Sequence, residues 1–147
     1  MMQQEEIFDS PTAWVAEHIQ HYVESDGDNG HRWRGVETLL LTTRGRKSGK
    51  LRRTALIYGR DGDRYLVVGS RGGADQHPAW YLNLRTNPDV EVQVGAEKFR
   101  ARASTAGPAD KPRLWRTMAS IWPEYDRYQT RTKREIPVVV LEKLPPG

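Results

Sequence analysis

A short basic turn is the part of this sequence most suited to chemistry. Between residues 44 and 53 the chain has no acidic residue and carries six cations: Arg44, Arg46, Lys47, Lys50, Arg52 and Arg53. In the rest of the chain acidic residues outnumber basic ones, so the net positive charge is concentrated here. Such a cluster attracts an anion and then holds it through charge-assisted hydrogen bonds. The turn therefore predicts a site for phosphate or carboxylate groups.

The small residues of the turn favour the same chemistry. Gly45 and Gly49 permit positive φ angles that aim successive backbone N–H groups into one concavity, and Ser48 adds a hydroxyl donor. The turn is not a nucleotide P-loop, because it is one residue short between its glycines and has Leu51 where Ser or Thr would hold magnesium. A hairpin tip that only contacts solvent stays open as the alternative.

Other reactive groups are scarce. The chain has no cysteine, which excludes disulfides, thiolate metal sites and a cysteine nucleophile. His18 and His21 are three residues apart, but no third ligand lies nearby in the sequence, so we predict no metal site. Any redox chemistry must therefore come from a bound cofactor.

Alternating and amphipathic patterns predict the elements that position the turn. Strands are predicted on both sides of the turn within residues 39–58, and then at 65–70, 90–94, 99–103 and 136–142. Helices are predicted at 14–23, 79–84 and 108–123. About six strands joined mostly by hairpins favour antiparallel neighbours in a mainly β fold with flanking helices, closed as a small barrel.

The chain of 147 residues fits one domain with a substantial core. Residues 1–34 are predicted as an N-terminal helix and turn, with Asp9 and Ser10 capping the helix ahead of Pro11, and residues 35–147 as the barrel domain. The polar start is unlike a secretory signal, and no apolar run approaches the ~18 residues of a membrane span. We expect a cytoplasmic protein whose first helix covers the site, touches a membrane peripherally or pairs with another chain.

Three segments together resemble a known family. They are TTRGRKSGKLRRTALIY, VVGSRGGADQHPAWYLNLRTNPDVEVQV and WPEYDRYQTRTKREIPVVVLE, in this order within residues 35–142. The sequence resembles the deazaflavin-dependent nitroreductases, small split-barrel reductases that use coenzyme F420. The resemblance implies a split β-barrel and an oxidoreductase in which reduced coenzyme F420 gives hydride to a planar, electron-poor acceptor. A quinone, an activated alkene or a nitroaromatic would serve.

The resemblance also implies a set of cofactor-binding residues. The coenzyme carries a phosphodiester and a glutamate tail, the polyanion that the basic turn predicts independently. Phosphate and tail would be held by Arg46, Lys47, Ser48, Gly49, Arg52 and Arg53, with Thr54 and Leu56 along the ring. A second block would wrap the ring system, comprising Gly69, Ser70, Arg71, Gly72, Gly73 and Ala74, followed by Trp80. Without the resemblance, the glycine-rich block would be an ordinary flexible loop.

Aromatic residues of the C-terminal segment would contact the substrate. The resemblance places Trp122, Tyr125 and Tyr128 there, with Trp80 beside them. Ser70, Tyr125 or Tyr128 would supply the proton that completes the reduction. Trp122 stands where the family often has Tyr, so the substrate preference need not carry over. Taken alone, Trp122 would be the last core residue of its helix.

Several alternatives follow from the same residues. An FMN-dependent oxidoreductase on the same barrel, and a protein that binds the deazaflavin without catalysis, both stay open. Nucleic-acid binding is disfavoured, because it needs a basic surface that extends well beyond ten residues. Monomer and homodimer are both compatible with the sequence.

Overall fold

The computed structural model describes residues 5–146. The first four residues of the predicted N-terminal segment 1–34 and the last residue of the predicted barrel domain 35–147 lie outside this range. The described strands are β1 (Ile7–Asp9), β2 (Arg32–Trp33), β3 (Val36–Arg44), β4 (Leu51–Ile57), β5 (Gly59–Asp61), β6 (Arg64–Val68), β7 (Asp89–Val94), β8 (Glu97–Thr105) and β9 (Val138–Lys143). The helices are α1 (Ala13–Glu24), α2 (Ala79–Thr86), α3 (Lys111–Ile121) and α4 (Glu124–Thr130), with a single 3₁₀ turn at Arg71–Gly73.

The strands form one sheet that curls into a split barrel, as predicted. Its order is β1-β4-β3-β7-β8-β9-β6-β5, with β2 paired to β3. Neighbours are antiparallel except β1 and β4, which run parallel. β4 and β6 approach each other without backbone pairing, so they form the split in the barrel. The prediction of about six strands missed β1, β2 and β5, which have three, two and three residues and are too short for a periodic signal.

Alternation along β3 separates two layers of core. Leu39 and Leu41 point into the barrel, whereas Leu40 points outward against Ile19 and Tyr22 of α1. All five side chains are buried, and each fully buried Leu or Ile contributes roughly 1.5–3 kcal/mol. A slip of one residue would exchange the two faces, so this pattern fixes the register beside the basic turn.

The start of α1 differs from the prediction. Thr12 is the N-cap residue and makes no side-chain capping bond. Asp9, the predicted cap, is instead the last residue of β1, and its carboxylate binds Arg53 of β4 at 2.6 Å. The parallel pairing of β1 with β4 places the two residues opposite each other, which explains why the carboxylate turns away from the helix. The end of α1 lies close to Gly27, as predicted.

The later helices follow some of their proline signals. Pro108 was predicted to open α3, but the helix begins at Lys111 after the N-cap residue Asp110. α2 begins directly after Pro78, and α3 ends at Ile121, two residues before Pro123. The polar, aromatic segment that follows was not predicted as a helix but forms α4. α3 and α4 cover the outer face of β6 and β9. None of the helices within residues 5–146 is long and apolar enough to cross a membrane.

Candidate active site

Two clefts open into each other beside β4. The basic cleft, of about 480 Å³, is defined by Arg46, Lys47, Ser48, Arg52, Arg53 and Asn83. The aromatic cleft, of about 460 Å³, is defined by Trp14, Trp33, Trp80, Trp122, Tyr125 and Tyr128, together with Ser70, Arg71 and Gly72. Ser10, Thr54 and Trp80 line both clefts, so the two form one continuous groove.

The two glycines of the basic turn have different roles. Gly49 has a φ of +71°, as the sequence predicted, and its N–H binds the carbonyl of Gly45 at 2.9 Å. Gly45 lies outside the positive-φ region, contrary to the prediction. A side chain at Gly45 would bring its Cβ to 2.7 Å from Ser48 Oγ. Gly49 therefore supplies conformational freedom, whereas Gly45 supplies space.

A buried asparagine that sequence reasoning missed holds the turn in place. The Asn83 Oδ1 accepts hydrogen bonds from the backbone N–H and the guanidinium of Arg46, both at 3.1 Å. Its amide nitrogen donates to Thr43 Oγ1 at 3.2 Å. Asn83 comes from α2 and is only 4% exposed. It fixes Arg46 without compensating its charge, since the amide is neutral.

The cations of the turn divide into paired and unpaired groups. Arg44 binds Glu5 at 2.7 Å, and Arg53 binds Asp9 at 2.6 Å. Among residues 5–146, no carboxylate forms an ion pair with the remaining basic-turn cations, which are Arg46, Lys47, Lys50 and Arg52. Lys50 and Arg52 lie over the ring of Phe8, 5.0 and 5.3 Å from its centroid. The basic cleft therefore has uncompensated positive charge that can bind an anion.

The predicted cofactor residues distribute over both clefts. The basic cleft receives Arg46, Lys47, Ser48, Arg52, Arg53 and Thr54. The aromatic cleft receives Thr54, Leu56, Ser70, Arg71, Gly72 and Trp80. Gly49, Gly69, Gly73 and Ala74 line neither cleft. A Cβ on Gly69 would lie 2.9 Å from Pro137, and one on Gly73 would lie 2.7 Å from the carbonyl oxygen of Tyr128, so close packing requires both glycines.

The loop after β6 is held in an unusual conformation. Arg71, Gly72 and Gly73 have successive φ angles of +46°, +62° and +86°. Left-handed backbone is costly for a long side chain such as Arg71, so surrounding contacts must maintain it. The segment therefore forms a defined 3₁₀ turn with left-handed backbone.

Most of the side-chain hydrogen bonds to this loop come from one residue that sequence reasoning also missed. The guanidinium of Arg134 donates to the carbonyls of Ser70 and Ala74 at 2.7 Å and of Gly69 at 3.1 Å. It also lies 3.1 Å from His77 Nδ1. Partial burial, and then the charge of Arg134, lower the pKa of His77, which favours a neutral ring that accepts this bond. Nothing in the sequence around Arg134 distinguishes it from the other basic residues nearby.

Three tryptophans from distant parts of the chain form one wall of the aromatic cleft. Trp14 and Trp33 stack with centroids 5.9 Å apart and planes 15° apart. Trp33 also lies 5.6 Å from Trp122. Trp14 remains 58% exposed, which makes it an exposed large apolar side chain at the rim of the cleft. Only Trp122 of these three was predicted as a site residue, because β2 gives no periodic signal and the role of the first helix was left open between three alternatives.

The predicted proton donors Ser70, Tyr125 and Tyr128 all line the aromatic cleft. The rings of Tyr125 and Tyr128 meet edge to face at 6.1 Å, and Tyr128 lies 3.5 Å from the indole nitrogen of Trp122. Burial, and then the neighbouring Tyr128, raise the pKa of Tyr125 well above its ordinary value. Tyr125 therefore keeps its proton throughout the physiological pH range.

α1 covers one side of the aromatic cleft. Trp14, Val15 and His18 line it, while the adjoining face of the helix, which includes Ile19 and Tyr22, packs on the barrel. His18 binds Thr38 whereas His21 contacts Glu17 at the surface, so the two histidines do not share a ligand. Within residues 5–146, no group of three or more His, Asp or Glu side chains is arranged to hold a metal ion.

Comparison with known proteins identifies the family of the chain. Residues 14–143 match the family model described as F420H(2)-dependent quinone reductase. The chain belongs to this family. The F420H(2)-dependent quinone reductase Rv1261c of Mycobacterium tuberculosis is 45% identical over 130 residues, which cover 86% of this chain and 87% of that protein.

Solved structures agree with the sequence comparison. A structure described as an F420-H2 dependent reductase has 37% identity and a TM-score of 0.67, covering 71% of this chain and 93% of its own. A structure described as a domain-swapped dimer has 36% identity and a TM-score of 0.70, covering 90% of this chain and 100% of its own. The predicted enzyme class, an F420-dependent reductase, and its coenzyme are therefore confirmed.

Proposed function

We propose that this F420-dependent reductase reduces quinones in the groove formed by the two clefts. The coenzyme's phosphodiester and glutamate tail would bind in the basic cleft, and its ring would lie at the junction lined by Thr54 and Trp80. The quinone would bind in the aromatic cleft. The observation that carries this proposal is the continuity of a cleft with uncompensated cations and a cleft walled by aromatic rings.

The donor groups of the basic cleft fit a polyanion. Arg46, Lys47 and Arg52 offer charged donors, and the hydroxyl of Ser48 lies among them. A phosphodiester needs one or two such groups, and each further carboxylate of a tail can use another. Since Asn83 orients Arg46 without neutralising it, the cleft is arranged for an anion before the coenzyme arrives.

The bound coenzyme supplies the hydride, and the protein supplies position and environment. The loop fixed by Arg134 would present Ser70 and Arg71 to the ring, while the tryptophan wall would hold a flat acceptor against it. Enclosure of the ring and the acceptor between this loop and the tryptophan wall would exclude water from the reacting face. Ser70, Tyr125 and Tyr128 are proposed as proton donors or as groups that position a water for this purpose.

Parallel titrations with oxidised coenzyme F420 and with FMN test the cofactor site. We expect tight binding of the deazaflavin that weakens as salt rises, because the tail interacts electrostatically with the basic cleft. FMN lacks the tail and should bind less tightly. Equal, salt-independent binding of both would contradict the proposed location of the tail.

Turnover separates a reductase from a protein that only binds the deazaflavin. Oxidation of F420H2 should be followed with menadione, with an activated alkene and with a nitroaromatic as separate acceptors. We expect the quinone to give the highest kcat/KM, since the chain belongs to the F420H(2)-dependent quinone reductase family. Tight coenzyme binding with no turnover on any acceptor would favour the non-catalytic alternative.

We also propose that the protein assembles as a homodimer. The support is the 36% identical structure described as a domain-swapped dimer. Light scattering after size exclusion should give twice the chain mass, and a value equal to one chain would contradict the proposal. A cytoplasmic location and peripheral membrane contact of α1 stay predictions, and sedimentation with lipid vesicles tests the latter.

A further inference from the structure

One ionisable side chain of the aromatic cleft has no role in the function proposed so far. His18 lies on α1 and lines the cleft beside Val15. Its neighbours Ile19 and Tyr22 face the barrel and are fully buried. The orientation of α1 is therefore fixed by core packing, and His18 is held at the cleft as a consequence.

Hydrogen bonds define which nitrogen of His18 is available. The ring Nε2 lies 3.4 Å from Thr38 Oγ1, and that hydroxyl donates to the carbonyl of Gly30 at 2.8 Å. Because Thr38 has a single hydroxyl hydrogen, which is used on Gly30, Nε2 must carry the hydrogen between the ring and Thr38. The carbonyl of Gly30, which accepts from Thr38, also interacts with the His18 ring. Among residues 5–146, no side chain forms a hydrogen bond with Nδ1.

The charged and titratable surroundings of His18 are sparse. His21 and Tyr22 lie on the same helix, with the Tyr22 ring 6.4 Å from that of His18, Arg71 comes from the 3₁₀ turn, and Tyr125 and Tyr128 come from α4. No Asp or Glu of the described chain lines the aromatic cleft. Burial lowers the pKa of His18, the carbonyl of Gly30 partly offsets this by stabilising the cation, and His21 lowers the pKa further. The net shift is downward, so the cation releases a proton readily.

We propose that His18 is a catalytic acid on the acceptor side, donating the Nδ1 proton to a quinone oxygen. This inference rests on the proposed quinone reduction and deepens it. A quinone that takes up a hydride becomes a hydroquinone monoanion, and one proton completes the hydroquinone. The N–H bond of the imidazolium breaks as the O–H bond forms. The neutral ring then regains a proton from solvent, since His18 is only partly buried.

The other donors of the cleft are weaker acids near neutral pH. A serine hydroxyl such as that of Ser70 does not ionise in this range, and Tyr125 holds its proton more firmly than an ordinary tyrosine. An imidazolium is the side chain whose ordinary pKa lies closest to neutrality. His18 therefore supplies what the hydroxyl groups lack, while these can still orient the acceptor.

NMR of the histidine rings tests the contact without turnover. The chain has four histidines, so each Cε1–H signal can be assigned and titrated with and without menadione, in the presence of oxidised coenzyme. If the cation of His18 donates to the quinone, menadione must raise the His18 pKa. By linkage, its affinity rises as pH falls, by roughly tenfold for each pKa unit of that shift. The signal of His21 should not respond.

Matched variants provide the second readout. His18→Gln keeps an amide donor toward Thr38 but cannot titrate, so kcat with menadione should fall about a hundredfold with a small change in KM. The pH dependence of menadione affinity should disappear. His21→Gln changes the same residue type one turn along the helix, outside the cleft, and should keep the wild-type kcat with menadione. Because His21 lowers the pKa of His18, this variant should raise that pKa slightly and retain the pH dependence of menadione affinity.

The outcomes separate failure of the proposed role of His18 from failure of the proposed acceptor site. Menadione quenching of tryptophan fluorescence without any change of the His18 pKa would overturn the role of His18 and leave the acceptor site intact. Wild-type turnover in His18→Gln would do the same. Absence of menadione binding would overturn the acceptor site, and with it this inference.

Discussion

The basic cleft and the aromatic cleft are built in different ways. The cations of the basic cleft come from one turn and the strand after it, so they are neighbours in sequence as well as in space. The tryptophan wall takes Trp14 from α1, Trp33 from β2 and Trp122 from the end of α3. A charged site can thus be encoded locally, whereas a shaped apolar site depends on the whole fold.

The two clefts also differ in the range of the forces they use. Charge acts over about 8–10 Å at ordinary salt, so the basic cleft tolerates small displacements of its side chains. Aromatic packing requires contact and loses its benefit when a ring moves by a fraction of its own width. Changes that alter the fold should therefore affect the acceptor more than the coenzyme.

The largest effect is expected from Arg134→Ala. The change leaves the carbonyls of Gly69, Ser70 and Ala74 without their donor, which should lower the free energy of unfolding by roughly 3 kcal/mol. Urea denaturation measures this directly. Turnover should fall further than coenzyme affinity, because the loop borders the aromatic cleft.

Arg131→Ala is the matched control for that change. Arg131 follows α4 and reaches the same loop only through the carbonyl of Gly72, at 3.4 Å. Its removal should change the free energy of unfolding by less than ~1 kcal/mol. Similar losses in both variants would show that the loop does not depend on the bonds of Arg134.

Single changes in the basic cleft should affect the coenzyme alone. Lys47→Ala and Arg52→Ala should each weaken coenzyme binding by roughly 1–3 kcal/mol, with the larger loss at low salt. Fluorescence titration of oxidised coenzyme F420 measures the affinity. Arg116→Ala removes an exposed cation of α3 outside both clefts and should leave it unchanged. Unaltered affinity in both cleft variants would mean that the phosphate site lies elsewhere.

Trp33→Leu should weaken binding of the acceptor and leave binding of the coenzyme unchanged. Loss of the Trp33 ring, which stacks on Trp14 at 5.9 Å and lies tilted against Trp122 at 5.6 Å, should weaken menadione binding by about 1 kcal/mol. Coenzyme affinity should stay at the wild-type value. Trp115→Phe, which changes a tryptophan of α3 outside the cleft, provides the comparison. Equal loss of coenzyme and acceptor affinity would show that the clefts are not separable.

The smallest effect is expected at Arg53. The sequence predicted Arg53 as a cation that holds the coenzyme, but in the structure it forms an ion pair with Asp9. Its ion pair with Asp9 has side-chain exposures of 19% and 28%, so much of its charge is already compensated. Asp9→Asn should release that charge and tighten coenzyme binding by about 0.5 kcal/mol. The same fluorescence titration detects the change, and weaker binding would show that Asp9 itself helps to hold the coenzyme.

Sequence reasoning correctly predicted the features that depend on residues close together in the chain. The strands beside the basic turn, the Gly49 conformation and the helix after Pro78 all follow from short patterns. It could not predict contacts between residues far apart in the chain, such as Asn83 with the turn or Arg134 with the loop after β6. These are single polar residues in ordinary surroundings, and their importance appears only when the barrel brings their partners together.

Sequence reasoning also misassigned segments in which a local pattern competes with contacts to residues far away in the chain. Asp9 satisfied the local pattern of a helix cap, but pairing of β1 with β4 offered its carboxylate a guanidinium instead. The α4 segment was too short and too polar for an amphipathic pattern, although it carries Tyr125 and Tyr128. In both cases tertiary contacts outweighed the local signal.

The short strand β1 has a practical consequence for the design of shortened forms. The family match begins at residue 14, so a chain trimmed to that boundary would seem complete. It would lack β1, which covers the edge of β4, and would expose unpaired backbone groups that invite edge-to-edge aggregation. It would also lose Phe8 and Ser10 from the groove. Fusion tags and truncations should therefore leave the residues from Ile7 onward in place.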